Sequence, residues 1–380
     1  MLNPPKFDKC DLLIIAGEHS GDEHAARMLN SLYAKDENLN VCTIGGAMLR
    51  ATKAQFLFDL AEHAVVGLVE VLKNYSFFKS FLDAMVEWID KYRPKAICLV
   101  DYPGLNLALA KELHKRGISQ KGGGNVKILY YISPQIWAWK AKRRFKMEKL
   151  LDSLAVIFPF EKDCYKDTSL DVEFIGHPFL EEGYKSNLAY DKDGKIMLLP
   201  GSRMGAISRI FPAMLETARL MPKEEFLVVF PDDRIKGKLD EIMQNFSDVA
   251  PRIEFIKSDA PQIKAKSVLM SSGTMSLSVN LAAIPGAIMY IANPITYFLG
   301  RMLVKIDYLG ICNIILGETA WKEFIQFDAK PKVLAEYMNY STYDPKALEA
   351  TAKDANALIE SLKSPRNLNL ASWLLKHLSI

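Results

Sequence analysis

The feature that most constrains this chain is a repeated unit: a short uninterrupted apolar run, a turn rich in Gly, Ser or Asp, then an amphipathic stretch. DLLIIA (Asp11 to Ala16) leads through such a turn into Glu23 to Tyr33. AICLVD (Ala96 to Asp101) precedes the helix-like Leu105 to Lys115, and VKILYYI (Val126 to Ile132) precedes Trp137 to Leu150. Strands with no polar alternation are buried on both faces, which requires helices above and below a parallel sheet. Alternating β and α elements therefore predict a doubly wound α/β fold.

The unit restarts in the second half. A polar, turn-rich break at about Phe179 to Gly194 is followed by a strand at Lys195 to Leu199 and a helix near Ile207 to Leu220. Strands at Phe226 to Phe230 and Ser267 to Met270, a helix from Thr274 and a strand at Ala287 to Ile291 come next, and the last forty residues read as helical. A length of 380 residues suits two domains. The predicted organisation is two Rossmann-like lobes, residues 1–180 and 195–343, facing across a cleft. Helices at 344–380 either pack back or are exchanged in a homodimer. In such sheets ligands bind beyond the carboxyl ends of the strands.

Composition narrows the function class. An apolar fraction of 49% with 24% charged residues is that of a globular protein. The five cysteines are widely spaced, with no C-x-x-C pair and no histidine partner at metal-ligand spacing, which fits a reducing cytoplasm. Met1 to Lys9 lacks the apolar stretch of a signal peptide, and no run is long enough for a spanning helix. A net charge of +3 gives no global attraction to nucleic acid. With no helical histidine pair at metal-ligand spacing, no metal or other cofactor is expected.

Two turns in the second lobe have phosphate-binding chemistry. Leu198 to Arg203 (LLPGSR) ends a strand and opens a helix, so backbone N–H groups and one guanidinium converge where an anion could sit. Ser271-Ser272-Gly273-Thr274 repeats that arrangement, and the two together suit a diphosphate. Ordinary N-capping by Ser or Thr is the alternative.

The first lobe differs. Its opening turn, AGEHSGD (Ala16 to Asp22), carries carboxylates and His19, which points to an acceptor hydroxyl or a general base, with capping by Ser20 or Asp22 as the alternative. Asp101 ends a central strand, where partial burial would raise its pKa toward a base's range, although capping by Asp101 or Asn106 is as common. SPQIWAWK leads into Lys140, Lys142, Arg143, Arg144, Lys146 and Lys149, a patch for a phosphorylated substrate or an anionic membrane, or else a solvated helix face. Gly67 to Asp90 carries one stripe at Leu68, Val71, Tyr75, Phe78, Leu82, Met85 and Ile89 and a second at Phe77, Phe81, Ala84 and Trp88. That double stripe is wider than a surface helix needs, leaving a groove for acyl chains, a membrane dock or internal burial as readings.

In this order the motifs resemble the lipid-A-disaccharide synthase family of inverting, two-lobed glycosyltransferases. The matching set is AGEHSGD, IGGAM (Ile44 to Met48), VVGLVEVL (Val65 to Leu72), DYPGLN, YYISPQIWAWK, IFPFE (Ile157 to Glu161), FIGHP, LLPGSR, SSGT and KEFIQ (Lys322 to Gln326). The resemblance implies a fold of the GT-B type and transfer of a diacylated glucosamine from its UDP derivative to diacylglucosamine 1-phosphate, giving the β-1,6-linked lipid A disaccharide and UDP. It implies a peripheral position on the cytoplasmic face of the inner membrane. It assigns Asp101 as base or its close helper, with Glu18. Ser20, Asn106, Arg143 and Arg144 fall to the acceptor side. The donor side receives Ser202, Arg203, Ser272, Gly273 and Thr274, with Arg203 also catalytic through its charge on the departing UDP and Asn313, Glu323 and Gln326 at matching polar positions. Leu72, Phe77, Phe81 and Trp88 become the membrane or acyl contact.

Three positions depart from the family pattern. Ala206 and Ser278 stand where glutamates are common, and Gly104 replaces an aspartate often seen in the DxPxxN motif. Ser278 cannot reach a ribose as a glutamate would. Another UDP-sugar enzyme of the same fold, such as an epimerase or a transferase with a different lipid acceptor, and a non-catalytic membrane-surface protein are the competing expectations.

Overall fold

A computed structural model describes residues 2–60, 75–181, 183–293, 297, 306–365 and 368–378. It separates into two compact units, one of residues Met1–Pro178 with Lys363–Ile380 and one of Phe179–Leu362.

The first unit is built on a parallel sheet of β1 (Leu12–Ala16), β2 (Val41–Gly45), β3 (Gln55–Asp59), β4 (Ala96–Val100), β5 (Lys127–Tyr131), β6 (Ser153–Val156) and β7 (Asp171–Phe174). Their spatial order is β3-β2-β1-β4-β5-β6-β7. Every residue of β1, β2 and β4 is buried, whereas the outermost strands β3 and β7 are mostly half-exposed. That is why the central strands read as continuous apolar runs and the edges do not. Helices α1 (His19–Tyr33), α2 (Ala47–Arg50), α3 (Tyr75–Tyr92), α4 (Pro103–Lys115) and α5 (Arg143–Leu150) join these strands. Pro103 sits at the start of α4, where its missing N–H costs nothing. The helix expected from Trp137 begins only at Arg143, because Lys140 adopts a left-handed backbone (φ 55°) that a helix cannot continue through.

The second unit repeats the plan with β8 (Leu188–Leu199), β9 (Phe226–Phe230), β10 (Ile253–Lys257), β11 (Ile263–Ser271), β12 (Gly286–Tyr290) and β13 (Lys322–Ile325), in the order β10-β9-β8-β11-β12-β13. β8 begins earlier than expected from its polar sequence. Leu188 and Ala189 pair with Ile263 and Lys264, and pairing then resumes at Lys195 with Ala265, so the intervening polar residues bulge out of the ladder. The helices are α6 (Met204–Arg219), α7 (Asp233–Met243), α8 (Thr274–Leu281), α9 (Ile311–Leu316), α10 (Pro331–Tyr343) and α11 (Pro345–Leu362).

The C-terminal helices are not one block. α11 belongs to the second unit, and α12 (Leu370–Leu378) packs on the first. The Trp373 indole of α12 is fully buried and donates to Ser153 Oγ at 3.0 Å. Each unit has its own apolar core. No helix among the described residues is long and apolar enough to cross a membrane.

Candidate active site

In both units the strand order reverses about the first strand, and ligands of open α/β sheets bind at such switch points. In the first unit the reversal lies between β1 and β4, whose carboxyl ends lead to Glu18 and Asp101. In the second it lies between β8 and β11, which lead to Gly201-Ser202-Arg203 and Ser272-Gly273-Thr274.

The first site is strained and acidic. Asp101 and Tyr102 both have left-handed backbones, with φ of 47° and 45°. Gly17 makes room for this turn: a Cβ there would lie 2.1 Å from Tyr102 Cδ1. Burial, reinforced by the Glu18 carboxylate, raises the pKa of Asp101 to about 6, against a smaller lowering by a backbone hydrogen bond from Tyr102. Glu18 and Ser20 are exposed. Glu18 is the N-cap residue of α1 and its side chain makes no capping bond. Neither Ser20 nor Asp22 caps α1. Asp22 is instead buried and accepts from Gly46 N (2.6 Å), Met48 N (2.9 Å) and Leu49 N (3.3 Å), so it fastens α1 to the start of α2 and explains why AGEHSGD and IGGAM occur together.

Asn106 is fully buried, and its Nδ2 donates to Asp101 O at 2.7 Å and Val100 O at 3.2 Å. Its amide nitrogen is therefore committed to the backbone of the Asp101 turn. Arg144, expected at the acceptor phosphate, is held by a two-point bond to Asp167, with Nε–Oδ1 2.6 Å and Nη2–Oδ2 2.5 Å. Arg143 has no such carboxylate partner among the described residues. It lies close enough to Tyr130 and Tyr165 to oppose the upward pKa shift that burial gives both phenols. Glu161, unremarked by charge pattern alone, is buried with its carboxyl raised to about 8 by burial, although it accepts from Phe158 N (3.1 Å) and Ile157 N (3.2 Å). A Glu three residues after a helix start is a capping signal, obscured here because Phe158 replaces the usual Ser or Thr.

The apolar stripe meant for acyl chains has another use. Phe81 and Trp88 are only 7% and 4% exposed and belong to the core, and Trp88 Nε1 donates to Asn3 O at 2.7 Å. Leu72 lies outside the described residues, and Phe77 is described only as part of the α3 backbone. Among the described residues of this unit the exposed aromatics lie elsewhere: Trp139 is 49% and Phe145 39% exposed. Lys140 Nζ sits 4.2 Å from the Trp139 ring centre and the Arg144 guanidinium 4.4 Å from that of Phe145.

The second site is open and free of strained side-chain-bearing residues at its two turns. Gly201 has φ 95°, and a Cβ on it would lie 2.9 Å from Ser271 Oγ, so the two turns touch. Arg203 is the N-cap residue of α6 and Gly273 that of α8, both extended, and neither helix is capped by a side chain. Ser276 Oγ turns back to Gly273 O instead. Two uncapped helix starts at neighbouring strand ends leave N–H groups and the positive ends of two dipoles for an anion. Ser202 and Arg203 are exposed. Ser272 is half-buried, and the Thr274 side chain lies outside the described set.

Asn313, Glu323 and Gln326 are committed internally. Asn313 Nδ2 donates to Trp321 O and Glu323 Oε1, both at 2.8 Å, and its Oδ1 accepts from Trp321 N (2.9 Å) and Ala320 N (3.0 Å). Glu323 receives the Leu309 and Gly310 N–H groups at the start of α9. Gln326 bonds both ways with the Ala292 peptide. These three side chains shape the loops beyond β12 and β13 rather than reaching out of them. Three further potential metal ligands among the described residues, Asp171, Glu173 and His377, gather at the amino end of β7, away from the first unit's own switch point, but Glu173 pairs with Lys376 (2.5 Å) and Asp171 with Ser153 (3.0 Å).

The sequence matches the lipid-A-disaccharide synthetase family over residues 12–378. The chain belongs to that family. Lipid-A-disaccharide synthase 1 of Legionella pneumophila subsp. pneumophila (strain Philadelphia 1) is 35% identical over 373 residues, covering 93% of both chains. Among solved structures, the glycotransferase of kitacinnamycin superposes with a TM-score of 0.60 at 12% identity, over 99% of this chain and 100% of that one. The UDP-GlcNAc 2-epimerase of Neisseria meningitidis, solved with UDP-GlcNAc, gives 0.60 at 11% identity over 96% and 98%. These two share the fold alone, which is the GT-B-like arrangement of two Rossmann-like units. Membership makes this lipid-A-disaccharide synthase family protein a glycosyltransferase of lipid A biosynthesis, and sets aside the epimerase and non-catalytic readings.

Proposed function

We propose that the enzyme joins UDP-2,3-diacylglucosamine to 2,3-diacylglucosamine 1-phosphate, with the acceptor activated on the first unit and the donor held on the second. The acceptor hydroxyl oxygen attacks the donor's anomeric carbon, the bond to UDP breaks with inversion, and Asp101 takes the hydroxyl proton. The observation that carries this reading is Asp101 at the switch point with its pKa raised to about 6. At pH 7 such a group is roughly nine-tenths ionised, yet binds a proton about a hundredfold more tightly than an ordinary aspartate. Arg203 and the N–H groups of the two helix starts stabilise charge on the leaving diphosphate, and Arg143 serves the acceptor phosphate.

The exposed Trp139 and Phe145, beside Lys140, Lys142, Lys146 and Lys149, support docking on the anionic cytoplasmic face of the inner membrane. A homodimer would form if α12, which here packs on the first unit of its own chain, were exchanged between two copies. Purified enzyme supplied with synthetic acylated donor and acceptor is expected to yield disaccharide 1-phosphate and UDP, identified by mass spectrometry. UDP release that proceeds equally without acceptor would contradict the proposal. Sedimentation with anionic vesicles but not zwitterionic ones tests the docking, and equal binding to both would count against it.

A further inference from the structure

Two buried side chains converge on one backbone atom, the carbonyl oxygen of Asp101. Tyr130 Oη, reaching over from β5, donates to it at 2.6 Å, and Asn106 Nδ2, from α4, donates at 2.7 Å. Both residues are 0% exposed. On the other side of the residue, Asp101 N donates to Tyr131 O at 2.9 Å, continuing the ladder between β4 and β5. The peptide is therefore gripped where the backbone turns left-handed through Asp101 and Tyr102, a conformation that residues with side chains rarely adopt and that persists only where the surroundings over-determine it.

The grip has a visible cost. Asn106 Oδ1 is buried with no partner among the described residues. An amide is nonetheless well suited here, since its NH2 group supplies donors to two carbonyls at once. Tyr130 likewise places a hydroxyl in a fully buried position, where an unmade hydrogen bond would be expensive.

We propose that Tyr130 and Asn106 are positioning residues that hold the Asp101 carbonyl inward and so fix the turn that presents the Asp101 carboxylate to the acceptor. The inference rests on Asp101 being the base. Tyr165 provides a control: it is a buried tyrosine of the same core, and its hydroxyl pairs with Ser133 Oγ at 2.8 Å and Met147 Sδ at 3.5 Å rather than with Asp101.

The test uses the full-length enzyme and initial rates of UDP release with both acylated substrates. Tyr130→Phe is expected to lower kcat by about 10- to 100-fold, the scale of a small misplacement of a reacting group, with donor KM changed less than about threefold. The acid limb of its pH profile is expected to move down as the freed carboxyl turns toward water. Asn106→Asp, which replaces the two-donor amide by an acceptor against a carbonyl, is expected to lose at least as much. In an Asp101→Asn background Tyr130→Phe is expected to add less than about twofold, because a positioning residue has nothing left to position. Tyr165→Phe is expected to keep kcat within about threefold.

Wild-type kcat and pH profile in Tyr130→Phe would overturn the proposal, as would an equal loss on the Asp101→Asn background. Undiminished turnover in Asp101→Asn alone would instead remove the base assignment, and with it the proposal.

Discussion

The two units share one topology and put opposite chemistry at the same place. In the first, the turns after β1 and β4 bring Glu18 near Asp101, bend two side-chain-bearing residues into left-handed backbone and raise a carboxyl's pKa by burial. In the second, the turns after β8 and β11 offer Gly, Ser and Arg with two uncapped helix starts. The sheet provides the location, and the residues in the turns decide whether it takes up a proton or steadies an anion. One turn pair holds strained, left-handed backbone beside a buried carboxyl, whereas the other exposes two helix starts that no side chain caps.

If that contrast is right, substitutions in the two turns must fail differently. Asp101→Asn is expected to cost turnover by about 10²- to 10⁴-fold, the range for a positioned general base, when UDP release is followed. Arg203→Ala is expected to lose about 10²- to 10³-fold in kcat/KM, with donor KM rising, as charge stabilisation of the leaving group is removed. Steady-state kinetics with donor and acceptor varied separately distinguishes the two.

The contrast also has a stability signature. A carboxyl whose folded pKa is about 6, against 3.8 unfolded, is disfavoured in its charged form by the fold. The wild-type protein therefore gains stability as pH falls from above 6 toward 4, where the folded state binds the proton first. Asp101→Asn is expected to stabilise the first unit at neutral pH by up to about 3 kcal/mol, with the gain vanishing below about pH 4. Denaturant unfolding at pH 7.5 and pH 4 checks this, and a destabilised variant at neutral pH would break it.

Smaller effects sharpen the comparison. Gly201→Ala puts a Cβ on a φ of 95° and 2.9 Å from Ser271 Oγ, and is expected to cost about 1–3 kcal/mol in chemical denaturation. Gly104→Ala meets nothing within 4 Å and is expected to stay within about 0.5 kcal/mol of wild type. Nothing in the structure requires glycine at Gly104. Glu18→Gln removes one of the two causes that raise the Asp101 pKa, so the acid limb of kcat/KM is expected near pH 6 in the wild type and by less than about one unit lower in the variant.

Much of this was legible from particular residues. The runs at Leu12–Ala16 and Ala96–Val100 are central strands because nothing polar interrupts them, and the LLPGSR and SSGT turns stand at the second switch point. Edge strands β3 and β7 were hidden, since half-exposed strands carry mixed sequences. Phe81 and Trp88 show a limit of helical stripes: periodicity reports how much of a helix is apolar, not whether a membrane or the protein's own core covers it. Arg144, Asn106 and Asn313 show another. The donors of a polar residue at a motif position can be taken up by Asp167, a backbone carbonyl or a neighbouring loop, and only the folded structure reveals the partner. Tyr130 was invisible as a functional residue because in sequence it is one more aromatic in a buried strand.

The division of labour between the units is tested most directly by measuring UDP affinity calorimetrically in Asp101→Asn and Arg203→Ala beside their turnover. Asp101→Asn is expected to bind UDP within about threefold of wild type while nearly inactive, and Arg203→Ala to lose UDP affinity and turnover together. Loss of UDP affinity in Asp101→Asn, or wild-type affinity in Arg203→Ala, would contradict the account.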